Sequence, residues 1–147
     1  MLRFQLVIDC ANPDKLARFW AEALGYVFEP LPEGFATWDD YWRDFGLGED
    51  DLGLGEDRIV DPEGHGPRIW FQIVPEGKTI KNRLHIDLSV GGGRSVPMQE
   101  RKRRVDAEAQ RLVALGATLM ASPISADGLD HYGVAMTEPE GNEFDIN

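Results

Sequence analysis

Seven side chains on alternating segments have the types and spacing to do chemistry together. His85 and Asp87 stand two residues apart in Leu84–Val90, Asp145 lies in Asn142–Ile146, Trp70 and Gln72 in Arg68–Val74, and Gln5 and Asp9 in residues 3–10. Residues two apart share one face of an extended chain, which sets these polar groups opposite the apolar neighbours Leu6, Phe71, Ile86 and Phe144. An imidazole exchanges protons near neutral pH, so His85 can serve as general acid or base, with Asp87 or Asp145 orienting it or taking the proton. Gln5 and Gln72 can hold a substrate by hydrogen bonds, Asp9 shares the face, and Trp70 supplies stacking area. A lone histidine can instead do no more than satisfy polar neighbours; polar side chains on one face of four strands favour a ligand-facing role.

The elements that must position these groups follow from periodicity. Residues 3–10 alternate, with Phe4, Leu6, Ile8 and Cys10 on the apolar face, which makes Cys10 a small buried hydrophobe. Asn12 offers an N-cap, Pro13 suits the first helical position, Leu16, Phe19, Trp20, Ala23 and Leu24 form one stripe, and Gly25 ends the helix. Strands follow at Tyr26–Leu31, Asp57–Asp61 and Arg68–Val74, the last with Ile69, Phe71 and Ile73 on its apolar face. The order then repeats: a strand at Leu84–Val90, a helix over Val96–Leu115 stopped by Gly116, and strands at Ala117–Ala121, Tyr132–Thr137 and Asn142–Ile146. Leu24-Gly25 matches Leu115-Gly116, and Asp61-Pro62-Glu63-Gly64 matches Glu138-Pro139-Glu140-Gly141. Strand, helix and three strands are written twice, and internal repetition of this kind constrains the fold more than any single element.

The 147 residues carry a formal charge of −11, with 42% apolar residues and one cysteine. That is one domain's length with enough apolar content for a core. The negative charge argues against nucleic acid or an anionic membrane as partner. A single cysteine excludes a disulfide framework and fits a reducing compartment. With no apolar run long enough to span a bilayer and no signal-peptide pattern at the start, the expected location is cytoplasmic. Residues 33–63 hold eleven acidic and two basic residues, so −9 of the charge sits there. This long, Gly-rich stretch reads as an acidic insertion. Thr37 with Asp40 predicts a short helix over Trp38–Phe45, and the insertion is either a solvated loop or a lid carrying Trp38, Tyr41 and Trp42. Arg101-Lys102-Arg103-Arg104 reads as a solvated helix face. Lys78, Lys81 and Arg83 read as part of a solvated linker.

The pattern Leu6-Val7-Ile8-Asp9-Cys10-Ala11-Asn12-Pro13, Leu16-Ala17-Arg18-Phe19-Trp20, Leu24-Gly25-Tyr26, Asn82-Arg83-Leu84-His85-Ile86-Asp87-Leu88 and Glu138-Pro139-Glu140-Gly141-Asn142-Glu143-Phe144 resembles the vicinal oxygen chelate superfamily, nearest its bacterial glyoxalase-like branch. The resemblance implies an α+β fold of two tandem βαβββ modules whose mixed sheets curve into a cup with helices outside. It divides a single domain, 1–147, into module one at 1–75, carrying the insertion 33–63, and module two at 83–147. In metal-dependent members the first, fourth, fifth and eighth strands each give one ligand, and those places fall on Gln5, Gln72, His85 and Asp145. The usual set is His or Gln, Glu, His and Glu, so this chain offers one carboxylate instead of two. The resemblance implies one divalent ion, Zn²⁺, Ni²⁺ or Mn²⁺, and equally a metal-free cup. It implies isomerase or lyase chemistry by proton transfer next to a carbonyl, with His85 and Asp145 as the acid/base pair. The alternative is a bleomycin-resistance type of protein that sequesters a drug or toxin. A homodimer with a small-molecule ligand is the implied assembly. Fold alone does not choose among these.

Overall fold

The computed structural model describes residues 2–53, 55–120 and 130–147, which form an α+β fold of two tandem βαβββ modules. They fall into two compact units, Met1–Gly77 and Lys78–Asn147.

In the first unit, β1 (Gln5–Cys10) leads into α1 (Pro13–Leu24), then β2 (Val27–Phe28), α2 (Trp38–Phe45), β3 (Arg58–Val60) and β4 (Arg68–Ile73). The sheet order is β1-β4-β3-β2, with β1 parallel to β4 and the other pairs antiparallel. Helix α1 begins as its sequence dictates. The Asn12 side chain accepts from Lys15 N at 3.0 Å, Pro13 occupies the first turn, and Gly25 closes the helix at φ +70°. Its face of Leu16, Ala17, Phe19 and Trp20 is buried, as are Ile59, Ile69 and Phe71 of the sheet. Thr37 caps α2 through Asp40 N at 3.0 Å, and the helix covers the predicted span.

The second unit repeats the plan. β5 (Asp87–Leu88), α3 (Met98–Ala114), β6 (Thr118–Leu119), β7 (Val134–Thr137) and β8 (Glu143–Ile146) give the order β5-β8-β7-β6, again with the first strand parallel to the last. Val105, Leu112, Val134, Met136, Phe144 and Ile146 are buried there. The turns before β4 and β8 share a device. Asp61 accepts from the backbone N–H groups of Glu63, His65 and Gly66, while Glu138 accepts from Glu140 N and from Asn142 N and Nδ2. Backbone N–H donors hold the Asp61 carboxyl below the usual carboxylate range. Burial pushes that of Glu138 up, against the pull of its own donors.

Several expectations need correction. β2 is two residues long rather than six, because Pro30 and Pro32 lack the N–H that would extend the ladder. β5 is confined to Asp87–Leu88, although ladder-type bonds run from Ile86 O to Val90 N. β6 is Thr118–Leu119, and Ala121 lies outside the described residues. Phe4, before the first ladder pair Gln5↔Arg68, is exposed, and so is Ile73 at the end of β4. Arg101 is not part of a solvated face. It is buried, donates to Val96 O and Asp130 O, and pairs with the Asp130 carboxylate. Lys78, expected in a solvated linker, pairs with Glu143 at 3.0 Å. Cys10 is buried, as the alternation predicts. Among the described residues no helix is long and apolar enough to cross a membrane.

Candidate functional site

In the second unit, the parallel register sets Asp87 opposite Asp145. Two carboxylates on neighbouring strands therefore face the same way, and His85, two residues before Asp87, joins them. Its Nε2 lies 3.2 Å from Asp87 Oδ1 and 3.7 Å from Asp145 Oδ2. All three remain accessible: the His85 and Asp87 side chains are 47% and 51% exposed and Asp145 30%, so a ligand can reach the imidazole without unpacking the core. Two anchors hold the strand in place. Asp145 N donates to Ile86 O at 3.0 Å. Upstream, Asn82 N donates to the Glu143 carboxylate and Asn82 Nδ2 to Glu143 O. With the Lys78 ion pair, these bonds hold the Glu143 carboxyl down at about 2.

In the first unit, the polar face of β1 and β4 carries Gln5, Asp9, Trp70 and Gln72, with Asp9 opposite Gln72 in the register. Gln5 is already engaged: its Oε1 accepts from Arg68 Nη1 at 2.5 Å, and the same guanidinium makes a two-pronged contact with Glu29. Trp70 Nε1 donates to Asp57 Oδ2 at 3.1 Å, and Asp57 also pairs with Arg58. The Arg58 guanidinium lies 4.6 Å from the ring centre of Trp42, 5.4 Å from Trp38 and 5.6 Å from Trp70. Arg58 and Asp57 are nearly enclosed by this arrangement, their side chains 9% and 12% exposed. Burial pushes the Asp57 carboxyl up and lowers the Arg58 guanidinium, while each charge partly restores the other. Cation–π attraction of this kind strengthens as the cation loses water. Helix α2 of the acidic insertion is thereby tied to β3 and β4 on the side opposite the buried Ile59, Ile69 and Phe71.

The sequence reading missed Glu29, Asp57, Arg58 and Arg68. Alternation already placed Arg68 with Trp70 and Gln72, but nothing local indicated that Arg58 would sit among three tryptophans. Two cavities lie elsewhere. One, of about 540 Å³, opens between α1 and the insertion beside Asp14, Arg18, Glu29, Trp38, Asp39 and Glu56; the other, of about 210 Å³, lies at Gly91, Gly92, Arg94 and His131. Neither is lined by any of the seven polar-face side chains singled out from the sequence, although the first borders Trp38 of the expected lid.

As metal donors, the described residues present one group of three, His85, Asp87 and Asp145, whose donor atoms lie within 4.8 Å of one another. An imidazole with two carboxylates is a chemically suitable set for a dication. Gln5 suits it less well, because its oxygen is held by a cation.

A family model described as a glyoxalase-like domain matches residues 5–147. No curated protein matches the chain. Among solved structures, an enzyme of the glyoxalase/bleomycin resistance protein/dioxygenase family from Burkholderia phytofirmans PsJN is 17% identical, with TM-score 0.57, over 97% of this chain and 94% of that one. A possible glyoxalase from Bacillus cereus is 16% identical, with TM-score 0.57, over 99% and 97%. A mutant of the fosfomycin resistance protein FosX from Listeria monocytogenes, in complex with Mn(II) and 1S,2S-dihydroxypropylphosphonic acid, is 11% identical, with TM-score 0.58, over 100% and 90%. At these identities the likeness is one of fold.

Proposed function

The chain belongs to the glyoxalase-like domain family, within the vicinal oxygen chelate superfamily, and from that premise we propose that it is a small-molecule enzyme that moves a proton on the carbon next to a carbonyl, in an isomerase or lyase reaction. The observation that carries this reading is the accessible His85 imidazole flanked by Asp87 and Asp145 at 3.2 and 3.7 Å. In this reading His85, when no ion occupies its imidazole, takes the proton from carbon and returns it, and Asp145 balances the charge that the imidazole gains. On the first unit, the polar face of Gln5, Asp9, Trp70 and Gln72 offers hydrogen-bonding and stacking groups to a small-molecule ligand. A divalent ion, when bound, supplies polarisation of the carbonyl oxygen. The FosX structure with Mn(II) supports a metal in this superfamily, and the donor group in the second unit supports one here. A cytoplasmic homodimer is part of the same proposal, with light scattering of the purified chain as the check on assembly.

The test is hydrogen–deuterium exchange, followed by NMR, on a panel of hemithioacetals and 2-oxo acids. The expected result is exchange at the carbon next to the carbonyl in at least one compound, reduced about 100-fold or more in His85→Ala, in keeping with the weight of general acid–base catalysis. Full exchange by His85→Ala sinks the acid/base role. A compound held tightly and equally by both proteins without exchange favours the sequestering reading, for which the Trp38, Tyr41 and Trp42 rings of α2 offer apolar area.

A further inference from the structure

We infer that Asp87 is a metal ligand in this chain, so that a dication is held by His85, Asp87 and Asp145 of the second unit, with Gln5 outside the coordination sphere. The inference rests on the proposed site and changes its composition. Three observations carry it. The first is charge. The four positions that the superfamily pattern supplies here, Gln5, Gln72, His85 and Asp145, contain one carboxylate, whereas His85, Asp87 and Asp145 contain two and neutralise a dication. The second is geometry. With metal–ligand bonds of about 2.1 Å, donors at tetrahedral or octahedral angles stand about 3.0–3.4 Å apart. The His85–Asp87 separation of 3.2 Å already satisfies this. The His85–Asp145 separation of 3.7 Å has to shorten by a few tenths of an ångström, and the full set, whose donor atoms lie within 4.8 Å of one another, has to close further around an ion, which partly exposed side chains do by rotation. The third is exclusion. Gln5 Oε1 accepts from Arg68, whose guanidinium also grips Glu29. Recruiting that oxygen to a dication would break the bond and bring two cations together.

The register explains why Asp87 can take this part. It is the ladder partner of Asp145 on a parallel strand, so the two carboxylates are brought side by side by the backbone and need no loop to position them. An oxygen-rich set with one imidazole suits Mn²⁺ better than a thiophilic ion, which makes Mn(II) the natural probe.

The experiment titrates the full chain, purified through chelator and then freed of it, with Mn(II), reading the free-ion electron paramagnetic resonance signal. The variants are Asp87→Asn, Asp87→Ala and Gln5→Ala, each checked for folding by circular dichroism. The expected result is one ion per chain in the parent, affinity about tenfold or more weaker in both Asp87 variants, and no change in Gln5→Ala. Affinity unchanged in both Asp87 variants, or lost in Gln5→Ala, overturns the inference, and so does a parent chain that takes up no Mn(II). The proton-transfer reading is tested apart from these outcomes, on protein freed of metal so that no ion occupies the His85 imidazole, and it stands or falls on deuterium exchange by the parent and His85→Ala. A parent chain that binds Mn(II) yet exchanges no compound of the panel, or a His85→Ala variant that keeps full exchange, overturns that reading alone.

Discussion

At the scale of single residues, the second unit depends on a carboxylate outside the proposed acid/base pair. Glu143 ties Asn82 and Lys78 to β8, and this holds the segment from which His85 follows. A carboxyl held at about 2 in the folded chain, against an ordinary value of 4.5, contributes stability that is fully present above pH 4.5 and is lost as pH falls towards about 2. Urea unfolding of the parent and of Glu143→Gln should therefore show the variant weaker at pH 7, with the gap closing between pH 4.5 and 2.5. A gap independent of pH would show that the clamp is not electrostatic. Legibility at this scale was uneven. The sequence placed His85, Asp87 and Asp145 on one polar face because alternation is a local signal. It could not show that Arg68 would take Gln5, or that Arg101 would be buried against Asp130, since those partners stand 63 and 29 residues away.

At the scale of elements, the two helices of the first unit were readable to their ends. Asn12 and Gly25 bracket α1, Thr37 and Gly46 bracket α2, and capping is written in a few adjacent residues. Short strands were less readable, because their length depends on what they pair with: β2 stops at its prolines, and β5 is bounded by the reach of β8. The duplicated turns add a tight approach. A methyl group placed on Gly66 would stand 1.9 Å from the Tyr26 hydroxyl oxygen, so the turn before β4 and the residue that precedes β2 can meet only if residue 66 has no side chain. Overpacking of this kind costs about 1–3 kcal/mol. Gly66→Ala should lose stability of that order in chemical denaturation, and most of the loss should return in a Tyr26→Phe background. Equal losses in both backgrounds would place the strain elsewhere in the turn.

At the scale of the whole molecule, the charge of −11 is a property of one segment. With eleven acidic and two basic residues between 33 and 63, the rest of the chain carries only −2. Its two arginines do different work: Arg43 pairs with Glu49 and Asp40 inside the insertion, and Arg58 joins the insertion to the sheet. Surface charge governs encounter more than final affinity. Replacing Asp39, Asp40, Asp44, Glu49, Asp50 and Asp51 by their amides should therefore raise the association rate of an anionic ligand at low salt and leave that of a neutral one unchanged. Stopped-flow measurement across a salt series checks this, and equal acceleration of both ligands would refute it.

The ring of tryptophans around Arg58 also gives the protein an optical property. Of its four tryptophans, Trp38, Trp42 and Trp70 surround one guanidinium, and Trp20 is buried in the α1 core. Three of the four emitting rings therefore stand at the seam where the insertion meets the sheet. A change in emission wavelength that precedes the loss of helical signal would report release of the insertion rather than unfolding, with no label added.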